Sequence, residues 1–395
     1  MHVVQLLPEL EEGGVERVVV DLSRELVGCG VTSTVISRGG RLVSQIEADG
    51  ARHIRLDVCS KNPLTFLVRA WQLRRQLARL APDVVHVHSR LPAWLLRIAN
   101  HSLRLPVVTT VHGLNRPGFY SRILTHGSRV ICVSRAVQAH LQKHYATPAG
   151  ILRVVYFGIH AKVFDPARLN LKFVERFRRE QQLDGCFVVI SAGRLAPCKD
   201  YATFIRAILA ARAKVPNIVG VIVGGGSSRH RAYVQQLHAL VRELGAGDAI
   251  RFAGHCADMA ELFALSDVVV SCSAKPESFG RTLAEALAMN TPVLATAHGG
   301  ALEIVREGVD GYLFPPRDAP ALAQALERIY SQRAEHNLRD SILQRFSMAQ
   351  TVRDTLAVYA EAVTGAAAVA AESCVSAVPL HRGKLLADAS TCKAA

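Results

Sequence analysis

Apolar positions along this chain follow two periods in turn. VVQLL at 3–7, TSTVIS at 32–37, PDVVHVHS at 82–89 and PVVTTVHG at 106–113 are short apolar or alternating runs bounded by turn residues, the pattern of strands. Between them lie longer stretches such as GVERVVVDLSRELVGCG, whose apolar residues fall three and four apart, the pattern of amphipathic helices. The order resumes after residue 160, where CFVVISAG, NIVGVIVGGG, IRFAGH and VLAT read as strands separated by helical stretches. Strands alternating with helices predict parallel sheets covered on both faces. A chain of 395 residues exceeds what one core usually supports. The expectation is α/β: an N-terminal Rossmann-like domain over 1–160, a second over 161–345, and a helix over 346–364 returning to the first. From Gly365 the chain turns Ala/Ser-rich without regular period, and 365–395 is expected to be a poorly ordered tail.

The richest stretch is KPESFGRTLAEALAMNTPVLATAHGG at 275–300, which reads as loop, helix, strand and loop. Gly280 frees the turn, RTLAEALAM is strongly helical, and Asn290 fits a left-handed cap before Thr291-Pro292. Glu277 and Glu285 are eight residues apart, which places their backbones roughly 10–12 Å from each other along a helix. That is wide for two carboxyl groups acting on one bond. The backbone N–H groups of Ser278, Phe279, Gly280 and Arg281 lie between them at a helix start, where anions bind readily. A ligand with hydroxyls at both ends and a diphosphate in the middle fits, and a nucleotide-sugar is such a ligand. An isolated pair of this spacing is also what two solvated glutamates on a surface helix would give. Arg194 and Lys199 follow the strand VVISAG and would face this helix start, as cations that neutralise a diphosphate leaving group. Gly224 opens a glycine turn after another strand, with no Lys-Ser/Thr after it to make a Walker loop. In the first half, Gly13 and Gly14 follow the first strand, where backbone amides can approach a phosphate or sugar. His112 ends a strand before Gly113. His86 and His88 alternate on one strand with no third metal ligand in evidence, which favours a structural role.

Composition and charge narrow the classes. Half of the residues are hydrophobic and a fifth are charged, as in globular proteins. Nine cysteines form no C-x-x-C pair and no metal-spaced cluster, which reads as reduced packing residues in the cytoplasm. No secretory signal and no apolar run of membrane-spanning length is present. The net charge of +14 is localised: residues 51–164 hold 17 Lys/Arg against 2 Asp/Glu. RAWQLRRQLARL at 69–80 reads as an amphipathic basic helix in which Trp71, Leu73, Leu77 and Leu80 alternate with Arg69, Arg74, Arg75 and Arg79, and NRPGFYSR at 115–122 is a second basic and aromatic patch. Either suits an anionic membrane surface or an anionic acceptor, and a solvated arginine face is the plain alternative. No nucleic-acid module accompanies the charge, so no nucleic-acid partner is expected. No Asp-x-Asp occurs anywhere, so fixed cations and amides are the candidates for stabilising a leaving group and no metal or other cofactor is expected.

Pro276-Glu277, Phe279-Gly280, Glu285-Ala286, Pro292-Val293, Gly299-Gly300 and Glu303 closely resemble the E-x7-E signature of the retaining family-4 glycosyltransferases of GT-B fold. Gly13-Gly14 with Glu16, Arg194 with Lys199, and the turn at Gly224 extend the resemblance over residues 3 to 362. It implies that Glu277 and His112 lie against the transferred sugar, that Glu285 holds the ribose, that Arg194 and Lys199 bind the diphosphate, and that the anomeric configuration is retained. Two departures are Asn290, where Gly is common, and Phe157, where the family usually has Asn. The function expected is transfer of a hexose from a nucleoside diphosphate sugar, UDP-sugar by resemblance, to a glycan or glycolipid acceptor. The setting expected is lipopolysaccharide core or other surface polysaccharide synthesis, peripheral to the cytoplasmic face of the inner membrane. A nucleotide-sugar epimerase of the same fold and a non-catalytic anionic-lipid or glycan-binding protein are the alternatives. The four residues Arg194, Lys199, Glu277 and Glu285 together count against a decayed site.

Overall fold

A computed structural model describes residues 1–11, 13–226, 230–332 and 337–375, with the backbone alone for 366–375. The first sheet holds β1 (His2–Leu6), β2 (Thr32–Ser37), β3 (Arg52–Arg55), β4 (Val84–Val87), β5 (Val107–Val111), β6 (Arg129–Cys132) and β7 (Leu152–Val154). The second holds β8 (Phe187–Ala192), β9 (Ile218–Val223), β10 (Ile250–Gly254), β11 (Val268–Ser271), β12 (Val293–Thr296) and β13 (Gly311–Phe314). Their orders are β3-β2-β1-β4-β5-β6-β7 and β10-β9-β8-β11-β12-β13. Every pairing is parallel, for example Val3 beside Val84 and Ile190 beside Val269. Helices cover both faces, so strands such as Val84–Val87 and Phe187–Ile190 are near-continuous buried apolar runs. In each sheet the order reverses between two neighbours, β1/β4 and β8/β11, and a crevice opens at their C-terminal ends.

The helix Met348–Val375 crosses back onto the first sheet. Its Tyr359 is fully buried and meets His86 Nδ1 at 2.7 Å, and Glu361 holds Arg129 at 2.8 Å and Arg153 at 2.7 Å. It runs past residue 364, the end expected from the sequence, to Val375. The run AAAVAA at 366–371 has no amphipathic period but high intrinsic helix propensity, and propensity wins there. The remainder of the expected tail, 376–395, lies outside the described residues. Among the described residues no helix is long and apolar enough to cross a membrane.

The basic helix is Phe66–Leu80, three residues longer at its start than its motif. Leu73 and Leu77 face the core, whereas Trp71 is 57% exposed among Arg74, Arg75 and Arg79. Arg69, expected on the cationic face, is buried, and its guanidinium reaches Thr65 Oγ1 at 3.1 Å and the Asn62 carbonyl at 3.1 Å. It ties down the loop before the helix.

Candidate active site

Beyond β11 the chain turns through Ser273 to Glu277, and Gly280, at φ +105°, lets it enter the helix Arg281–Ala288. The Glu277 backbone is held by Gly300, whose N–H donates to its carbonyl at 2.8 Å. Glu277 Oε1 accepts from Lys199 Nζ, from Ser273 Oγ at 2.5 Å and from Ser271 Oγ at 3.4 Å. Burial opposes the charge of Glu277, but the Lys199 ammonium and the two hydroxyls outweigh it and hold the carboxyl below its ordinary range. Lys199 closes a short 3-10 turn, Pro197–Lys199, in the loop after β8. Arg194 lies in the same loop, exposed and without an ion pair among the described residues. The structure thus brings Lys199 directly onto Glu277, a pairing that the sequence spacing did not indicate. Gly224 is accounted for by packing: at φ +151° its Cα faces the Gly193 carbonyl oxygen, with which any Cβ would collide. Asn290 takes the left-handed conformation expected of it, at φ +59°, and its side-chain oxygen accepts from Arg339 N at 2.9 Å.

Glu285 is one turn further along that helix and accepts from Arg281 Nε at 2.5 Å. Arg281 also lies 3.6 Å from Asp21 on the helix Gly14–Gly28 of the first domain, and His160 Nε2 lies 3.2 Å from the same carboxylate. Burial raises the Glu285 pKa above the usual value, and the negative Asp21 nearby adds to it against the opposing Arg281. Asp21, although burial raises it, is held low overall by His160, Arg281 and Arg24. Glu285 is therefore a carboxylate that the ligand-free protein ionises reluctantly. Asp21 and His160 were missed by sequence reasoning. A carboxylate on the apolar side of an amphipathic helix was the one available signal.

On the first domain, Gly13 precedes the helix Gly14–Gly28 in extended conformation, with the Glu16 carboxylate folded against it. His112 follows β5, and its ring is 5.7 Å from that of Phe157 and stacked on it. Phe157 in turn meets Phe279 edge-on at 5.4 Å, so a hydrophobic bridge joins His112 to the loop before Arg281. His112 Nε2 lies 3.0 Å from His88 Nδ1, and His88 Nε2 lies 3.1 Å from Gln5 Oε1. Burial pushes His112 and His86 down to about 3 and His88 well below the usual imidazole value, so all three are neutral. His86 is occupied by Tyr359 and Thr110, which fits the structural role assigned to it. A cavity of about 40 Å³ between the domains is lined by His112, Phe157, Asp21 and Arg281.

Two doubly wound sheets, with cations, a helix start and paired carboxylates converging on the crevice between them, define a protein of the GT-B class. The family model "Glycosyltransferase Family 4" matches residues 12–163 and "Glycosyl transferases group 1" matches residues 173–344. The chain belongs to the family-4 GT-B glycosyltransferases and is an enzyme of that kind. It is 28% identical to the D-inositol 3-phosphate glycosyltransferase of Salinispora tropica, over 89% of this chain and 82% of that one. It is 27% identical to the lipopolysaccharide core biosynthesis glycosyltransferase LpsE of Rhizobium meliloti, over 85% of this chain and 90% of the other. Among solved structures, a glycosyltransferase from Rickettsia africae superimposes with a TM-score of 0.83 at 28% identity, covering 92% of this chain and 98% of its own. Anabaena HepE, solved with UDP and glucose, superimposes at 0.81 and 22% identity over 91% of this chain and 99% of its own.

Proposed function

We propose that the protein is a retaining, metal-independent hexosyltransferase. Its donor is a nucleoside diphosphate sugar, UDP-linked by analogy with HepE, and its acceptor a lipid-linked glycan of lipopolysaccharide core or another surface polysaccharide. It works as a peripheral protein at the cytoplasmic face of the inner membrane. The observation that carries this reading is the contact of Lys199 with Glu277 just before the start of the helix Arg281–Ala288, with Arg194 exposed in the same loop as Lys199. As the bond from the anomeric carbon to the diphosphate breaks, negative charge grows on the leaving oxygen and positive charge on the sugar ring. Arg194, with no carboxylate of its own among the described residues, and Lys199 meet the first charge. The amides from Ser278 to Arg281 add donors aligned with the helix dipole. Glu277, kept ionised, faces the sugar, and Glu285 takes the ribose hydroxyls. Fixed cations supply the charge stabilisation that a divalent ion would otherwise give. Retention is accounted for when the departing phosphate oxygen receives the proton of the acceptor hydroxyl on the same face as the new bond. Gly13, Gly14 and His112 close the site from the first domain.

The test is donor binding and turnover in EDTA with a panel of UDP-, GDP- and ADP-sugars, for wild type, Glu285→Ala and Lys199→Ala. One donor should bind saturably and be hydrolysed slowly, with both substitutions weakening it at least tenfold. If no donor binds, or the substitutions leave binding intact, the assignment fails. Release of nucleoside diphosphate that needs acceptor separates transfer from epimerisation.

A further inference from the structure

Gln5 is fully buried on β1, and both hydrogens of its amide are used: Nε2 donates to Ser23 Oγ at 2.8 Å and to Ser33 Oγ at 3.3 Å. Its carbonyl oxygen is thereby turned toward His88 Nε2, 3.1 Å away. A carbonyl oxygen only accepts, so His88 must carry its proton on Nε2, and its Nδ1 is left as a lone pair. That lone pair lies 3.0 Å from His112 Nε2, which must then be the protonated nitrogen of His112. One atom remains at the end of the chain. His112 Nδ1 is buried, has no hydrogen-bond partner among the described residues, and belongs to a ring lining the cavity between the domains.

We infer that Gln5 and His88 are positioning residues that lock His112 in its Nε2-protonated tautomer, so that Nδ1 accepts a hydrogen bond from a hydroxyl of the bound sugar. The identity of that ligand rests on the function proposed above. The tautomer does not. A buried acceptor without a partner is unfavourable until a donor reaches it, so the ligand-free site favours a ligand that presents an O–H there. The neutrality of the ring suits the same place, since an imidazolium beside a sugar ring gaining positive charge would oppose the reaction. Rotating the Gln5 amide by half a turn would reverse every proton in the chain and make Nδ1 a donor, which gives the inference its sharpest alternative.

The experiment is NMR of the full-length, ligand-free protein labelled with ¹⁵N-histidine. The expected spectrum contains one imidazole proton on a nitrogen that couples to the Cδ2 proton of its own ring. That proton should also show coupling across the hydrogen bond to a δ1 nitrogen of a second ring. In Gln5→Leu the single tautomer should be lost and turnover of UDP-glucose should fall about tenfold. Gln5→Glu, which keeps an acceptor facing His88, should restore both. A bridging proton on a δ1 nitrogen, or an unchanged tautomer in Gln5→Leu, overturns the inference, and the wild-type spectrum decides this even if a variant fails to fold. With UDP-glucose analogues, the deoxy and deoxyfluoro forms at one hydroxyl should lose affinity equally, because fluorine cannot donate. Retained affinity of the fluoro form would mean that His112 donates instead. Failure of any UDP-glucose to bind would count against the proposed donor and leave the tautomer to be judged from the ligand-free spectrum.

Discussion

At the scale of single residues, the two glutamates of the signature differ in how readily they ionise. Glu277 is held ionised by Lys199 and two serines despite its burial, whereas burial and Asp21 leave Glu285 with a raised pKa. A carboxyl whose folded pKa lies above its unfolded value costs stability when it ionises: stability falls as pH rises through that window. Replacing Glu285 by Gln removes this cost while keeping an acceptor for Arg281. The ligand-free melting temperature of Glu285→Gln should therefore equal or exceed that of wild type. UDP affinity should fall roughly 10- to 100-fold, the worth of one or two charge-assisted hydrogen bonds. Thermal melts with and without UDP read both effects, and a lower melting temperature with an intact UDP shift would show Glu285 to be merely structural. UDP affinity of wild type should also weaken on acidification at a pH above the ordinary glutamate value of 4.5, if the ribose contact proposed for Glu285 uses its ionised form.

At the scale of elements, the histidines at the ends of β4 and β5 make the first domain acid-sensitive. An unfolded imidazole takes up its proton near 6.5, whereas folded His86 and His112 do so only near 3, and His88 is likewise depressed. Below 6.5 the unfolded chain binds protons that the fold refuses, so stability is full above that pH and declines as pH falls. Each histidine adds up to about 1.4 kcal/mol per pH unit. Urea melts at a series of pH values from 7.5 to 5 should show this slope, reduced by one histidine's share in His86→Asn. In the second domain, Gly224→Ala should cost about 2–4 kcal/mol, because the methyl group meets the Gly193 backbone and φ is unfavourable; a matching loss at the exposed Gly247, where nothing crowds a Cβ, would sink that account. These elements were legible in the sequence because hydrophobic period reports burial within one strand or helix, and E-x7-E is contained within one loop and helix. What lies between elements was not legible. Asp21 finds His160 and Arg281, and Gln5 finds His88, only because the sheet order sets β1 beside β4 and the crevice sets one domain against the other. The returning helix was cut short for a related reason: a run of alanines carries propensity but no period.

At the scale of the whole molecule, the two domains are clamped by Glu303. From the second domain its carboxylate accepts from the N–H groups of Arg135 and Ala136, each at 2.9 Å, and from the Tyr156 hydroxyl at 2.8 Å, capping the helix Arg135–Tyr145 of the first. Because the charged contacts proposed for the nucleotide, from Arg194, Lys199 and Glu285, belong to the second domain, Glu303→Ala should leave the UDP dissociation constant within about threefold. Transfer should fall tenfold or more, since closure assembles the site; equal loss of both would place Glu303 in nucleotide binding instead. The same geometry bears on how an acceptor arrives. Leu64, Leu67, Val68 and Trp71 are 88%, 68%, 56% and 57% exposed, and Phe119 is 79% exposed. These groups lie in or just before the first turns of the helices Phe66–Leu80 and Phe119–Arg122, which follow β3 and β5 in the chain. Beside them, Arg55, Arg75 and Arg79 line one groove of the surface and have no carboxylate partner among the described residues. Apolar groups that enter a bilayer and arginines worth about 1 kcal/mol each against anionic lipid would hold the cleft mouth at the membrane, where a lipid-linked acceptor presents its sugar. Leu67→Asp combined with Arg75→Glu and Arg79→Glu should abolish flotation with phosphatidylglycerol vesicles and transfer to a lipid-linked acceptor, while UDP-sugar hydrolysis in solution persists. Hydrolysis lost along with flotation would mean that the substitutions disrupted the fold, and flotation unchanged would return these arginines to an ordinary solvated face.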